Sequence, residues 1–468
     1  MRNGGVFIFH GSNDSKVRFR NIDKIENNIR NLERNFLNKR QLEAVEVLQR
    51  ESLQQDYFLL PIVEGPPGTG KTLTGAIAVA KKLINLVREG RESRYLILCF
   101  THTACLEFKN KLEEIGMDKM DAVYLTPYSK DTNPERGIFG VPPNLSGLQV
   151  GVQRWIGNSP VIITTLLGIS RAIAAFKKKR IYLMIDEFSQ VSAADFFACI
   201  QQVKDLRPYQ FSLLGDPLQL PVVTTQTHLR PNICTFINPH GKGTETIGLK
   251  TQYRMHKDIC NAINEMRRIF HAFPIEPADW VADRTLTKLN YEWKPPQDRI
   301  LRKILDPDNP LVLVDTSYLG FEESKGREVK FLPEAKLAVK IAIEAAKSYT
   351  KNGEHLNPQI LTPYSAQRNL ISSMLPKECG ECTTIYKAQG AEFPMVIISF
   401  VRSNPNRFVG FLDDGQLTEQ VYVGCSRAKA KLVILLSFDT FFGGGHRMFQ
   451  ALERTSSAIK IQGENIPL

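Results

Sequence analysis

Apolar residues fall into two rhythms along this chain. Between positions 21 and 50 they recur at Ile22, Ile25, Ile29, Leu32 and Phe36, then at Leu42, Val45 and Leu48. That three-to-four spacing predicts two amphipathic helices. Further on, short and nearly continuous apolar runs take over, at 59–63, 95–100, 161–163, 181–185 and 211–214. Runs this short, bounded by polar turns, are those of strands buried on both faces, and the helical patterns between them, such as 73–87, imply a parallel sheet.

The second half repeats the rhythm at 311–314, 359–362, 395–400 and 431–436, with a helical pattern over 334–349. The prediction is two α/β domains with parallel sheets, one over 37–250 and one over 251–468. Residues 1–36 form an extension in which 5–20 reads as a small hairpin followed by the first helix. Two stretches break the rhythm. Residues 125–158, rich in Gly and Pro, and 271–310, with six prolines from Pro274 to Pro310, are long for loops and are expected as insertions or lids. The second carries Trp280, Tyr291 and Trp293 among Lys and Arg, side chains that either anchor an insertion or stack bases. The basic run 177–180 reads as a solvated face before a strand.

Composition changes this picture in one respect. With 43% hydrophobic and 23% charged residues the 468-residue chain is of ordinary globular type. It carries 60 Lys and Arg against 49 Asp and Glu, a net +11, so its surface attracts polyanions. No apolar run reaches the roughly 18 residues of a membrane span, and the first twenty residues lack a signal-peptide core. An intracellular protein, cytoplasmic or nuclear, with no membrane partner is expected. Eight scattered cysteines form no disulfide framework, and Cys379 and Cys382 have no second pair at metal-site spacing.

The chemistry begins after the first strand. Gly65-Pro66-Pro67-Gly68-Thr69-Gly70-Lys71-Thr72 is a glycine-rich turn between a strand and a helix. Backbone N–H groups of such a turn wrap phosphates, with Lys71 on phosphate oxygens and the Thr72 hydroxyl on Mg²⁺. Asp186 and Glu187 follow another buried strand at the sheet edge where ligands bind. There Asp186 suits Mg²⁺ and Glu187 suits activation of water. Gln219, in the turn after a further strand, is placed to sense the γ-phosphate. Arg254 and Arg427, both in the second half, are of the type that stabilises phosphoryl-transfer charge.

Taken in order, GPPGTGKT, IDEFSQ, GDPLQLP, QYRMH, TIYKAQGAEFP and VYVGCSRAKAKLVIL resemble the motifs of superfamily 1 helicases. GDPLQLP and QYRMH are similar to those of the Upf-like branch of subgroup B, whose members translocate 5′ to 3′ on RNA or DNA. The last two motifs are as close to RecD-type and UvrD-type sequences. The resemblance implies two tandem RecA-like domains of the P-loop NTPase fold, hydrolysing ATP with Mg²⁺ between them, and a monomer acting on single-stranded RNA or DNA. Carried over by residue, Gln41 reads the adenine edge, Tyr253 stacks on the base, Gln219, Arg254 and Arg427 contact the γ-phosphate, and Glu392 is a second-domain nucleotide contact. Thr101, Thr103, Thr164, Thr165, Thr362, Pro363, Tyr364 and Thr384 are implied holders of the nucleic-acid backbone. His102, Phe188 and Tyr386 depart from the family's usual Asn, small residue and His. The alternative function on the same motifs is an ATP-gated clamp or nucleoprotein remodeller without processive unwinding.

Overall fold

A computed structural model describes residues 19–50, 60–91, 93–127, 131–141, 156–173, 180–203, 210–222, 232–234, 244–326, 328–413 and 417–462. The expected hairpin at 5–20 and most of the basic run 177–180 lie outside them. By internal contacts the chain divides into two units, one of 1–65, 70–217 and 222–249, the other of 66–69, 218–221 and 250–468.

The first unit is an eight-stranded sheet. Its strands are β1 (Leu60–Glu64), β2 (Ser93–Cys99), β3 (Ala122–Thr126), β4 (Ile138–Gly140), β5 (Val161–Thr165), β6 (Arg180–Asp186), β7 (Gln210–Gly215) and β8 (Thr244–Gly248). They lie in the order β4-β3-β5-β2-β6-β7-β1-β8, and every pairing is parallel. Alternate side chains of one strand enter different cores, Tyr95 and Ile97 one and Leu96 and Leu98 the other. A strand covered on both faces has no polar side to show, which is why the sequence reads as continuous apolar runs.

Helices α1 (Ile22–Asn35), α2 (Lys39–Val47), α3 (Lys71–Arg88) and α4 (His102–Glu114) contribute to the first of these cores. Ile25 and Ile29 of α1 are buried there, so the described part of 1–36 belongs to this unit and is no separate extension. The expected insertion at 125–158 is also partly sheet: β3 runs into it, and β4 pairs with β3 through Tyr124 and Ile138. Residues 128–130 and 142–155 of that stretch are outside the described ones.

In the second unit two short strands, β9 (Thr251–Gln252) and β10 (Glu276–Pro277), pair in parallel. The main sheet has six strands, β11 (Leu311–Asp315), β12 (Gln359–Thr362), β13 (Glu381–Thr384), β14 (Phe393–Ser399), β15 (Ala428–Leu436) and β16 (Ile459–Gln462). Their order is β13-β12-β14-β15-β11-β16, again parallel throughout. Leu311 and Leu313 face one core, Val312 and Val314 the other. Residues 271–310 are folded into this unit rather than looped out. Glu292 and Trp293 pair with Thr350 and Tyr349, and the helix Arg299–Leu305 buries Leu301, Ile304 and Leu305.

Among the polar groups buried in this frame one carboxylate stands out. Glu334, fully buried near the start of the helix Leu332–Ser348, accepts hydrogen bonds from the Thr316 hydroxyl (2.9 Å), the Ser399 hydroxyl (2.7 Å) and the Val401 N–H (2.8 Å). Val401 is held at φ 75, where a β-branched residue is strained. Burial pushes the Glu334 carboxyl from 4.5 up to about 7, opposed by those hydrogen bonds and helped by the nearby Glu322 carboxylate. A folded value above the unfolded one means stability is fully present below about pH 4.5 and lost as pH rises through 7. Glu334→Gln removes this titration. Its melting temperature relative to the parent should therefore rise between pH 5 and pH 8, by the equivalent of at most about 3 kcal/mol. A melting difference that stays constant with pH would contradict this account.

Candidate nucleotide site

The turn after β1 is bent by its glycines. Gly68 and Gly70 have φ of 78 and 77, the left-handed region that glycine enters without strain. The Gly65 N–H donates to the Gly215 carbonyl at 2.7 Å, and the Thr69 hydroxyl donates to the Pro66 carbonyl at 2.7 Å. Gly70 caps α3 with no side-chain hydrogen bond, so the first-turn N–H groups of the helix have no side-chain cap from that residue.

Lys71 opens α3 and is paired with Asp186 at the end of β6. Burial works against its ammonium, but Asp186 and then Glu187 outweigh burial and hold the lysine above its usual range. It is therefore fully charged at neutral pH. The Glu187 N–H donates to the Asp186 carboxylate at 2.8 Å, and Glu187 itself lies at φ 60, ψ 47. That left-handed turn ends the strand at the acid pair. The donor set fits a nucleotide with Mg²⁺: a charged lysine, the Thr72 hydroxyl on the next residue and two adjacent carboxylates at the sheet edge. Phe188 departs from the small residue of the family pattern, and Gly215 makes room for it. A Cβ at Gly215 would lie 2.6 Å from the Phe188 ring.

Gln41 is buried at the third position of α2, in a reciprocal capping box with Asn38. Its Oε1 accepts from the Asn38 N–H at 3.0 Å, and its Nε2 lies 2.7 Å from where a Cβ on Gly70 would be. The cap thus fixes the amide beside the phosphate turn.

In the second unit the expected nucleotide contacts come together. The Tyr253 N–H donates to the Gly68 carbonyl at 2.7 Å. Arg254 Nε donates to Glu392 at 2.7 Å and its Nη1 to the Ser426 carbonyl at 3.1 Å, while Lys429 pairs with the other Glu392 oxygen at 2.6 Å. Burial alone would raise the Glu392 carboxyl, but Arg254 and Lys429 bring it down to about 2. Arg427 is 2% exposed, with donors on the carbonyls of Val423 (2.9 Å) and Ala391 (3.3 Å) and on the Ser426 hydroxyl (2.8 Å). Gln219 is half-buried between Leu218 and Leu220, whose side chains enter the core that holds Met255.

The threonines divide by exposure. Thr101 caps α4 through the Ala104 N–H at 3.1 Å, Thr103 is exposed, and Thr165 ends β5 in register with Cys99. Thr164 is fully buried with its hydroxyl on the Leu125 carbonyl at 3.0 Å, so its side chain is turned into the protein. Thr362 and Thr384 are register partners at the ends of β12 and β13, and Pro363 follows half-buried. The Tyr364 hydroxyl accepts from Arg402 Nε at 2.9 Å, and Arg402 also pairs with Glu322 at 3.0 Å. Lys429, Ser426, Arg402 and Glu322 were not picked out from the sequence. Arg402 and Glu322 lie 80 residues apart and carry no local pattern.

Cys379 and Cys382 are half-exposed, and burial pushes the Cys382 thiol up to about 12. No helix among the described residues is long and apolar enough to cross a membrane.

Residues 49–225 match one family model described as an AAA domain, and residues 235–438 match a second with the same description. The DNA replication ATP-dependent helicase/nuclease DNA2 of Mus musculus is 26% identical over 425 residues, covering 85% of this chain and 37% of that protein. The Homo sapiens protein of that name is 28% identical over 426 residues, covering 85% and 37%. A regulator of nonsense transcripts 1 homolog of Arabidopsis thaliana is 24% identical, covering 85% and 32%. The chain thus spans about a third of the length of these relatives.

Proposed function

We propose, from the premise that the chain belongs to the Upf-like branch of the superfamily 1 helicases, that it is an ATP-driven translocase on single-stranded nucleic acid, moving 5′ to 3′. The observation that carries the reading is the charged Lys71 paired with Asp186 beside Glu187 at the foot of α3. Lys71 neutralises phosphate oxygens, Thr72 and Asp186 hold Mg²⁺, and Glu187 takes the proton of the attacking water. Bound Mg²⁺ supplies further neutralisation of the phosphate charge. Gln219 and Arg254 contact the γ-phosphate, Arg427 is held by the carbonyls of Val423 and Ala391 and by the Ser426 hydroxyl, and Gln41 and Tyr253 receive the base. Thr101, Thr103 and Thr165 in the first unit, with Pro363 and Thr384 in the second, hold backbone phosphates, whereas the side chains of Thr362 and Tyr364 are buried like that of Thr164 and are left out of that set. Such contacts position a strand without reading its sequence.

Two of the relatives are named for DNA replication and one for nonsense transcripts, which keeps both polymers in view. The test is steady-state phosphate release with no polymer, with single-stranded RNA and with single-stranded DNA, at two salt concentrations. Stimulation by one polymer or both is expected, weaker at high salt because phosphate contacts release counterions. Hydrolysis indifferent to both at either salt would overturn the translocase and leave an ATPase. Strand displacement from a tailed duplex separates a motor from a clamp that hydrolyses without unwinding.

A further inference from the structure

The tyrosine proposed to receive the base is itself stacked on a second ring. Tyr253 and Trp280 lie with centroids 6.2 Å apart and planes at 25°. Trp280 is carried by the short helix Asp279–Ala282, which follows β10. β10 is locked to β9 by its parallel pairing, and the Ala278 N–H donates to the Gln252 carbonyl at 2.9 Å. From the other end, the Arg284 guanidinium sits 4.8 Å from the Trp280 ring centre and donates to the carbonyls of Tyr253 (3.2 Å) and Arg254 (2.8 Å). The links therefore run back to one short segment, Thr251 to Arg254.

Trp280 is nevertheless 67% exposed, the largest aromatic ring left so open among the described residues. An indole held on one side and open on the rest offers a flat apolar surface at little cost in side-chain freedom. The Tyr253 N–H donates to the Gly68 carbonyl of the phosphate turn.

We infer that Trp280 is a nucleotide-base contact, forming with Tyr253 a two-ring platform on which the base of the bound nucleotide stacks. The inference rests on the reading that Tyr253 receives the base. It gives 271–310 a function: the stretch delivers an aromatic surface to the nucleotide rather than to the nucleic-acid strand.

The chain has three tryptophans, so Trp155→Phe with Trp293→Phe leaves Trp280 as the sole indole reporter. ADP titrated into that variant should quench its emission, whereas inorganic tripolyphosphate, which has no base, should not. By calorimetry, Trp280→Ala should weaken ADP about 5–10-fold and leave tripolyphosphate unchanged, with Trp280→Phe restoring most of the ADP affinity. A variant that had merely lost its fold would lose tripolyphosphate as well. ADP binding that leaves Trp280 emission unaltered, or a Trp280→Ala protein that binds ADP like the parent, would overturn the platform. Tyr253→Ala separates the two levels. If it too leaves ADP affinity intact, the base does not lie on Tyr253 at all; if it weakens ADP while Trp280→Ala does not, only the second ring is removed from the site.

Discussion

Glu187→Gln is expected to lower ATP turnover by about 10²–10⁴-fold while changing ADP affinity less than about threefold, measured by phosphate release and by calorimetry. On the proposed reading the two carboxylates of the acid pair have different tasks. Asp186 is 2% exposed, takes the Glu187 N–H and is paired with Lys71, so its charge is committed to the phosphate and metal side. Glu187 is half-buried and is placed by a backbone turn that a non-glycine residue adopts at a cost of about 1–3 kcal/mol. A residue kept in such a conformation at the edge of a sheet is held there for what its side chain reaches. Glutamine keeps the shape and the turn but cannot accept the water's proton. Binding persists because Lys71, the glycine turn and Asp186 are untouched. Turnover within tenfold of the parent would take the general base away from Glu187.

The contrast with Lys71→Met is informative. That change leaves Asp186 buried without its partner, so it should lower the melting temperature as well as nucleotide affinity. Loss of turnover with binding and melting preserved is thus the particular signature of Glu187.

Much of the fold was legible because its central strands are covered on both faces. The runs at 95–100 and 431–436 could be read directly, since Leu96 and Leu98 enter one core while Tyr95 and Ile97 enter another. Strands at the sheet margins were harder. The edge strands β4, β8, β13 and β16 are short or carry polar residues, and β16 alternates Ile459, Lys460, Ile461 and Gln462 as an edge strand does. The prolines of 271–310 suggested an insertion or lid, yet Pro277 lies within β10, outside the main sheet, where a missing N–H costs that sheet nothing.

The site was legible where its residues are contiguous in sequence, as at 65–72 and 186–187. It was not legible where the fold assembles it from distant segments. Trp280 reaches Tyr253 through β9 and β10, and Lys429 reaches Glu392 through the neighbouring strands β14 and β15. Thr164, implied by the resemblance as a backbone holder, has its hydroxyl on the Leu125 carbonyl.

Arg254→Ala is expected to reduce the turnover number by about 10³-fold or more, the scale of an arginine that stabilises phosphoryl-transfer charge. In the structure its guanidinium is shared between Glu392 and the Ser426 carbonyl, with side-chain exposure of 13%. Glu392 is held down to about 2, so it stays ionised through the whole neutral range and can keep the arginine poised without titrating. Glu392→Gln should therefore cost much less than Arg254→Ala, since Lys429 loses a partner but the guanidinium remains. Arg254→Lys should rescue little, because a lysine cannot serve both acceptors with one planar fork. Arg427 supplies the comparison. Its guanidinium is buried with donors on Val423, Ala391 and Ser426, so Arg427→Ala should lower the melting temperature along with turnover. Arg254→Ala should lower melting less, since Glu392 keeps Lys429 as a partner. If instead Arg254→Ala melts early and Arg427→Ala keeps its stability while losing turnover, the roles of the two arginines are exchanged and Arg427 is the residue that meets the γ-phosphate.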